Sequence, residues 1–170
     1  MVFLGGILFQ TIFFLITKQL LDNTSYTYKL IENYNLSILI FNLLPIIPLD
    51  GSKVLNILLN KMYPFKKAHL ITIYVSYIAI LILITLSLKN VNLVLMISLL
   101  IILVIKEHKS HKIIFNMFLI ERYIKNISFK NNNFIKNKKL KNMKKYSNNI
   151  FIINNKYIDE KEMIINRFNY

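Results

Sequence analysis

The sequence contains no cysteine and no tryptophan, and only three glycines and three prolines in 170 residues. The absence of cysteine excludes disulfides and thiolate metal sites, and it leaves the redox compartment undetermined. Acidic residues are scarce as well, with 8 against 22 lysines and arginines, for a net charge of +14. Asparagine, lysine and isoleucine are abundant, and we attribute this bias to the compositional habit of the source.

The remaining residues are strongly apolar, and 55% of the chain is hydrophobic. A soluble domain of this size cannot bury so much apolar material. The charge is also unevenly placed: residues 1–105 carry a net +4, and residues 106–170 carry +10. An apolar body followed by a basic tail indicates an integral membrane protein.

Four apolar stretches predict four transmembrane helices, since about 20 helical residues cross the hydrocarbon. They run over residues 1–21, 36–59, 71–88 and 91–105. The lysine-rich loop between the second and third stretches and the basic tail fall on one side. The positive-inside rule makes that side cytoplasmic. We therefore expect a multi-pass protein of the cell membrane with both termini in the cytoplasm.

The second stretch contains residues that interrupt a helix. Pro45 and Pro48 lack amide donors, and Gly51 permits conformations that other residues resist. Asp50 lies within this break, and a carboxylate at membrane depth costs about 3 kcal/mol. Broken backbone and a carboxylate inside a span together predict a functional site.

Two simpler interpretations of Asp50 are open. The carboxylate could sit at the membrane surface, with residues 36–47 forming a re-entrant helix. Alternatively, Lys53 could pair with Asp50 along one face of a helix. Periodicity does not separate these interpretations from a functional site.

The run NLLPIIPLDGSK resembles the site-2 (M50-type) intramembrane zinc metalloproteases, and especially the stage IV sporulation proteases of endospore-forming bacteria. Those proteins carry N-L-L-P-x-x-P-L-D-G-G-K/R. The matching positions here are Asn42, Leu43, Leu44, Pro45, Pro48, Leu49, Asp50, Gly51 and Lys53. Ser52 departs from the pattern by replacing its second glycine. A second run, Pro64-Phe65 and Lys67-Ala68-His69, is also similar to these relatives.

The resemblance implies a role for the residues of the motif. In the family the aspartate of this motif is one of three protein ligands of a catalytic zinc, so Asp50 is the expected ligand here. Asn42, Pro45, Pro48, Gly51 and Lys53 are the expected substrate-binding or structural residues of the motif. Zinc would then be the cofactor, with one of its three expected protein ligands in this chain.

The other two zinc ligands of the family come from H-E-x-x-H, whose glutamate is the general base. No such motif occurs here, and the histidines are His69, His108 and His111. We interpret His108 and His111 as solvated surface residues. The expected explanation is an N-terminally truncated form whose catalytic residues lie upstream, with a split gene or a decayed enzyme as alternatives. Such a chain would be inactive alone.

The rest of the chain predicts an amphipathic juxtamembrane helix at residues 106–128 and a small cytoplasmic module at 129–170, after the protease core of residues 1–105. Within the module we expect a short helix near Leu140–Lys145 and a loose remainder up to residue 149. We then expect strands at 150–153 and 156–158, and an N-cap at Asp159 before a final helix. FLIERY at 118–123 and residues 158–162 resemble the same proteases. We attribute the charge of the tail to inside-positive topology instead of binding to nucleic acid or anionic lipid.

The predicted fold class is an all-α membrane protein with about four spans, one broken at Pro45–Gly51, followed by a small basic α+β tail. The predicted function is regulated cleavage of a membrane-associated precursor protein, by resemblance the precursor of a sporulation transcription factor. Expected partners are membrane lipid, this protein substrate and either a complementing N-terminal fragment or regulatory membrane proteins, and not nucleic acid. The alternative is a non-catalytic membrane remnant or partner-binding subunit.

Overall fold

The computed structural model describes residues 5–20, 26–87, 91–125, 127–154 and 156–168. Six α-helices and three strands follow one another in these ranges. The helices and strands are, in chain order, α1 (Gly5–Leu20), α2 (Tyr26–Leu43), α3 (Asp50–Met62), α4 (Phe65–Ser87), α5 (Val91–Ile124), β1 (Asn132–Ile135), β2 (Asn148–Ile153), β3 (Lys156–Asp159) and α6 (Glu160–Phe168). The fold is mostly helical with a small C-terminal sheet, as the sequence predicts.

The chain forms two compact units. Unit 1 comprises Met1–Leu55 and Val75–Val104, and unit 2 comprises Asn56–Tyr74 and Ile105–Tyr170. Because α3, α4 and α5 cross these limits, each of them contributes residues to both units. The predicted division at residues 105 and 128 stays a prediction.

Two helices of the described residues are long and apolar enough to cross a membrane. They are Phe65–Leu86 and Val91–Ile124, which contain 18-residue stretches with mean hydropathies of 2.2 and 2.0. Helix α1 has 16 residues, and α2 carries Lys29 and Glu32 within its 18. The described residues therefore contain two candidate spans, and the four predicted spans stay a prediction.

The two long helices form where the sequence lacks helix breakers. Pro64 precedes α4, and its carbonyl accepts a hydrogen bond from the Ala68 N–H at 2.9 Å. The missing N–H of proline matters little there, because the first amides of a helix have no intrahelical partner. No proline or glycine occurs in α5, which continues from its apolar part into the FLIERY segment without interruption.

Three strands form the sheet, in the order β1-β2-β3. The hairpin of β2 and β3 is antiparallel, with Ile153 opposite Lys156, and it confirms the predicted strand pair. Asn154 starts the turn with a φ of 51°, which asparagine tolerates better than most residues. Strand β1 pairs in parallel with β2 from Asn132 to Ile135, in a region predicted to be loose.

The segment between β1 and β2 contains a 3-10 turn at Leu140–Asn142, in place of the predicted short helix. Asp159 precedes α6, and its carboxylate accepts a hydrogen bond from the Lys161 N–H at 3.3 Å, as the predicted N-cap requires. The core of unit 2 joins these elements to α4 and α5. Its buried members are Phe65, Phe115, Phe118, Leu119, Ile135, Leu140, Met143, Phe151, Met163 and Ile164.

One buried ion pair links α5 to α6. Arg122 Nη2 lies 2.7 Å from Glu160 Oε2, and their side chains are 5% and 12% exposed. Arg122 also donates to the Ser147 carbonyl at 2.9 Å, and Asn149 donates its amide to the same Glu160 oxygen at 2.9 Å. The pair therefore belongs to a network of hydrogen bonds that joins the last helix to the sheet.

Replacement of Glu160 by glutamine should destabilise unit 2 by about 3–5 kcal/mol, because it leaves the Arg122 guanidinium buried without a counter-charge. The matched control is Glu121→Gln, which removes the 2.7 Å pair with Lys125 at a site where both side chains are about half exposed. That loss should be under about 1 kcal/mol. Denaturant unfolding in detergent measures both. Equal losses would contradict the structural role of the buried pair.

Candidate functional site

The predicted helix break lies in unit 1, where α2 ends at Leu43 and α3 begins at Asp50. Between them the backbone makes tight turns. The Ile46 N–H donates to the Leu44 carbonyl at 2.8 Å, and the Leu49 N–H donates to the Ile46 carbonyl at 2.6 Å. The Ile47–Pro48 peptide bond is cis. Ile46 is fully buried, so this irregular backbone packs inside the protein.

A serine from α4 supports the break. The Ile47 N–H donates to Ser76 Oγ at 3.1 Å, and the Ser76 hydroxyl donates to the Pro45 carbonyl at 3.2 Å. Ser76 has no exposed surface. A single buried hydroxyl therefore satisfies one donor and one acceptor of a backbone that has left the helix.

Gly51 allows α3 to start directly against the end of α2. A Cβ atom at this position would overlap the Leu43 carbonyl group and the Leu44 carbonyl oxygen. Only glycine fits without a shift of backbone, although its own φ is not positive. Ser52, the departure from the family pattern, is 3% exposed and donates its hydroxyl to the Leu49 carbonyl at 2.7 Å. A serine is thus accommodated at this position.

The Asp50 carboxylate lies in the first turn of α3, and its side chain is 14% exposed. Lys53 Nζ lies 2.6 Å from Asp50 Oδ1, and the lysine side chain is 41% exposed. This is the i,i+3 pair that the sequence left open as an alternative. The lysine supplies the counter-charge that a largely buried carboxylate needs.

The other predicted motif residues lie in the same short stretch. Asn42 is in the last turn of α2 and half-buried, and its side-chain amide has no hydrogen-bond partner among the described residues. Pro45 is half-buried and Pro48 is exposed. The structure therefore places Asn42, Pro45, Pro48, Gly51, Asp50 and Lys53 around one break, whose geometry Ser76 completes.

The histidines lie in unit 2, in α4 and α5. The rings of His69 and His111 stack with centroids 5.3 Å apart, and both residues are buried. Glu107 Oε1 lies 3.5 Å from His69 Nε2. The predicted surface position is wrong for His111, because the face of α5 that carries it packs on α4. His108 is exposed, with its ring 6.1 Å from that of Tyr74.

A catalytic zinc site in proteins takes three protein ligands and leaves a fourth position open. Among the described residues, no group of three His, Cys, Asp or Glu side chains could hold a metal ion. Asp50 is one carboxylate, already paired with Lys53. The described residues alone therefore do not fit a complete zinc site.

A comparison with protein families finds relatives of the segment that contains this motif. Residues 4–86, which include the break, α3 and nearly all of α4, match Peptidase family M50. This chain is a relative of the M50 site-2 proteases. The family comprises integral membrane zinc metalloproteases, so the match agrees with the two apolar helices found here.

One curated relative is stage IV sporulation protein FB of Bacillus subtilis (strain 168). It is 53% identical over 51 residues, which are 30% of this chain. The same stretch covers 18% of the length of that protein. The matched part of the M50 relative is thus short, but it is closely similar.

Sequence reasoning found the residues of the motif and missed the one that supports it. Ser76 lies 31 positions after Pro45, inside an apolar helix, and the sequence around it carries no pattern. The signal that could have found it is physical. An interrupted helix at membrane depth requires a polar partner, and serine and threonine in a neighbouring span are the usual suppliers.

Replacing Ser76 by alanine should destabilise unit 1 by about 1–3 kcal/mol, because the Ile47 N–H and the Pro45 carbonyl would lose their buried partner. Ser98→Ala is the matched control, since the Ser98 hydroxyl in α5 donates only to the Leu95 carbonyl of its own helix. Its effect should stay below about 0.5 kcal/mol. Unfolding in detergent followed by circular dichroism measures both. A Ser76 variant as stable as the Ser98 variant would rule out the bridge.

Gly51→Ala should cost about 3 kcal/mol or more, because the new methyl group meets backbone that cannot move independently. The neighbouring Ser52→Ala serves as its control and should cost about 1 kcal/mol, since it removes one hydrogen bond and adds no atoms. The two melting temperatures are to be compared in the same detergent. The reverse order of stability would show that α3 does not pack closely on α2.

Proposed function

We propose that this chain forms part of an intramembrane zinc metalloendopeptidase of the site-2 type. The observation that carries the proposal is a largely buried carboxylate, Asp50, placed at a break in an M50-related segment. Burial of a carboxylate in such a position costs free energy unless a cation neutralises its charge. In this proposal Asp50 is one zinc ligand, and the remaining ligands and the general base come from residues other than these 170.

The rest of the motif supports binding of an extended substrate. The Asn42 side-chain amide offers an N–H donor and a carbonyl acceptor, and no described residue occupies either group. Pro45 and Pro48 keep residues 44–49 out of a helix, so that their backbone turns tightly between Asn42 and Asp50. We infer that a substrate segment binds at this break, next to Asp50.

Similarity to the M50 proteases supports a protein substrate. We propose a membrane-associated precursor protein, such as the precursor of a sporulation transcription factor. The proposal includes four spans in the cell membrane with both termini in the cytoplasm. It also includes a protease core at 1–105, a juxtamembrane helix at 106–128, a regulatory module at 129–170 and a complementing N-terminal fragment or regulatory membrane partners.

One observation favours a second candidate function. The Asp50–Lys53 pair, at 2.6 Å, already neutralises the carboxylate without any metal ion. A chain that uses this pair only to stabilise the break would be a non-catalytic membrane subunit that binds a partner. Cleavage and metal content distinguish this candidate from the protease.

The test is complementation. The chain is produced together with a membrane segment that carries an H-E-x-x-H helix, and cleavage of a tagged membrane-associated precursor is followed by immunoblot. Asp50→Asn should lower cleavage by more than about 100-fold, since even outer partners of a metal site cost 10- to 100-fold. Zinc bound to the purified complex, measured by mass spectrometry, should fall in parallel. Glu162→Gln, an exposed acid in α6, should change neither.

Three outcomes would overturn parts of this proposal. Unchanged cleavage and zinc content in the Asp50→Asn variant would remove Asp50 from the metal site. Failure of the wild-type pair both to cleave and to bind zinc would favour the non-catalytic subunit. Stoichiometric zinc on the chain alone, lost in Asp50→Ala, would show that this chain supplies a site without a complement.

A further inference from the structure

A cationic groove lies in unit 2. It has a volume of about 740 Å³ and lies among the start of α4, the middle of α5, the segment around the 3-10 turn, the hairpin and α6. Its cationic side chains come from three parts of the chain: Lys66, Lys138, Lys139, Lys141 and Arg167.

The charge of the groove is uncompensated. None of the described residues that line it is acidic, and Lys138, Lys139 and Lys141 are exposed and form no ion pair within the described ranges. Lys66 and Arg167 lie over the ring of Phe115, at 5.4 and 5.6 Å from its centroid. Like charges gathered in a concave site raise the local concentration of anions, so the groove favours a ligand with negative charge.

The floor of the groove is apolar. Phe115 and Met163 are buried, and Ile153 and Ile158 are half-buried. A small inorganic anion would use the lysines and leave these side chains in contact with water. A ligand with an anionic end and a hydrocarbon part uses both surfaces. The combination of a cationic rim with an apolar floor therefore points to an amphiphile.

The position of Lys66 brings the groove close to a membrane surface. It is the second residue of α4, whose segment Phe65–Leu86 is apolar enough to span a bilayer. A helix of this length rises roughly 33 Å, close to the thickness of the hydrocarbon. The first turn of α4 then lies at the level of lipid headgroups, where basic pockets beside membrane helices bind anionic lipids.

We propose that this groove binds the headgroup of an anionic phospholipid, with the phosphate among the lysines and the glycerol and first acyl carbons against the apolar floor. The segment that carries Lys138, Lys139 and Lys141 then rests on the bilayer. The proposal depends on membrane insertion of α4 and not on the proposed proteolysis, so an inactive chain would bind the lipid equally well. The proposal also gives the basic tail a specific ligand, whereas the charge of the tail alone indicated only which side of the membrane it lies on.

The test uses the full 170-residue chain in detergent, titrated with phosphatidylglycerol or with phosphatidylcholine of the same acyl chains. Native mass spectrometry counts the lipids that each chain retains. The variant Lys139→Gln/Lys141→Gln should bind phosphatidylglycerol about 25-fold more weakly, at about fivefold per lysine near a membrane surface. Lys130→Gln/Lys156→Gln removes the same charge from exposed positions that do not line the groove, and it should stay within about twofold of the wild type.

A second measurement needs no variant. The wild-type chain is placed in nanodiscs of either lipid, and the acetylation rate of each lysine is followed by mass spectrometry. Lys138, Lys139 and Lys141 should be protected in phosphatidylglycerol relative to phosphatidylcholine, whereas Lys130 and Lys156 should not. Equal loss of affinity in both double variants, or equal protection of all these lysines, would show diffuse attraction and overturn the site.

A third arm separates lipid from a soluble anion. Inorganic pyrophosphate is titrated into the wild type and into the groove variant under the same conditions. Weak binding that is equal in both supports the lipid. If pyrophosphate binds the wild type more tightly than phosphatidylglycerol does, and the groove variant loses that binding, the occupant is a soluble anion and the lipid assignment is wrong.

Discussion

A backbone that leaves its helix inside apolar surroundings must find partners for the amides and carbonyls that it frees. In this protein the requirement falls on the stretch between α2 and α3, and the buried Ser76 hydroxyl meets it from α4. Two features of the site depend on that backbone path. Gly51 approaches the end of α2 closely, and Asp50 lies in the first turn of α3. The site is therefore a property of two segments, although its recognisable residues occupy only one.

This division explains how far the sequence could predict the site. Prolines act on their own backbone, and a carboxylate is rare within an apolar stretch, so their positions alone indicate the break and the buried carboxylate. Ser76 and His111 contact residues of other helices or of the break. Packing decides which face of a helix meets its neighbour, and an almost uniformly apolar sequence does not indicate that face. Some asparagines, attributed to composition, are structural as well: Asn149 is 1% exposed and bonds to Glu160, Lys144 and Ser147.

The same distinction holds for the C-terminal sheet. The β2–β3 hairpin could be predicted because its strands and turn are neighbours in sequence. Strand β1 could not, since a four-residue NNFI segment gains its stability from parallel pairing with β2, which lies beyond the 3-10 turn. Its single buried residue, Ile135, joins a core that also includes Phe65 of α4. Non-local pairing of this kind leaves little trace in local composition.

The first amide of α4 has its hydrogen-bond partner outside the helix. The Phe65 N–H donates to the Met143 carbonyl at 2.9 Å. Helix termini leave such amides without intrahelical acceptors, so an outside group must satisfy them. Met143 lies 78 residues after Phe65, so the chain must be synthesised at least as far as the 3-10 turn before this amide can meet its acceptor. A segment that is translated later thus completes the start of an apolar helix that is translated earlier, and α4 gains this N-terminal partner only after that segment has folded.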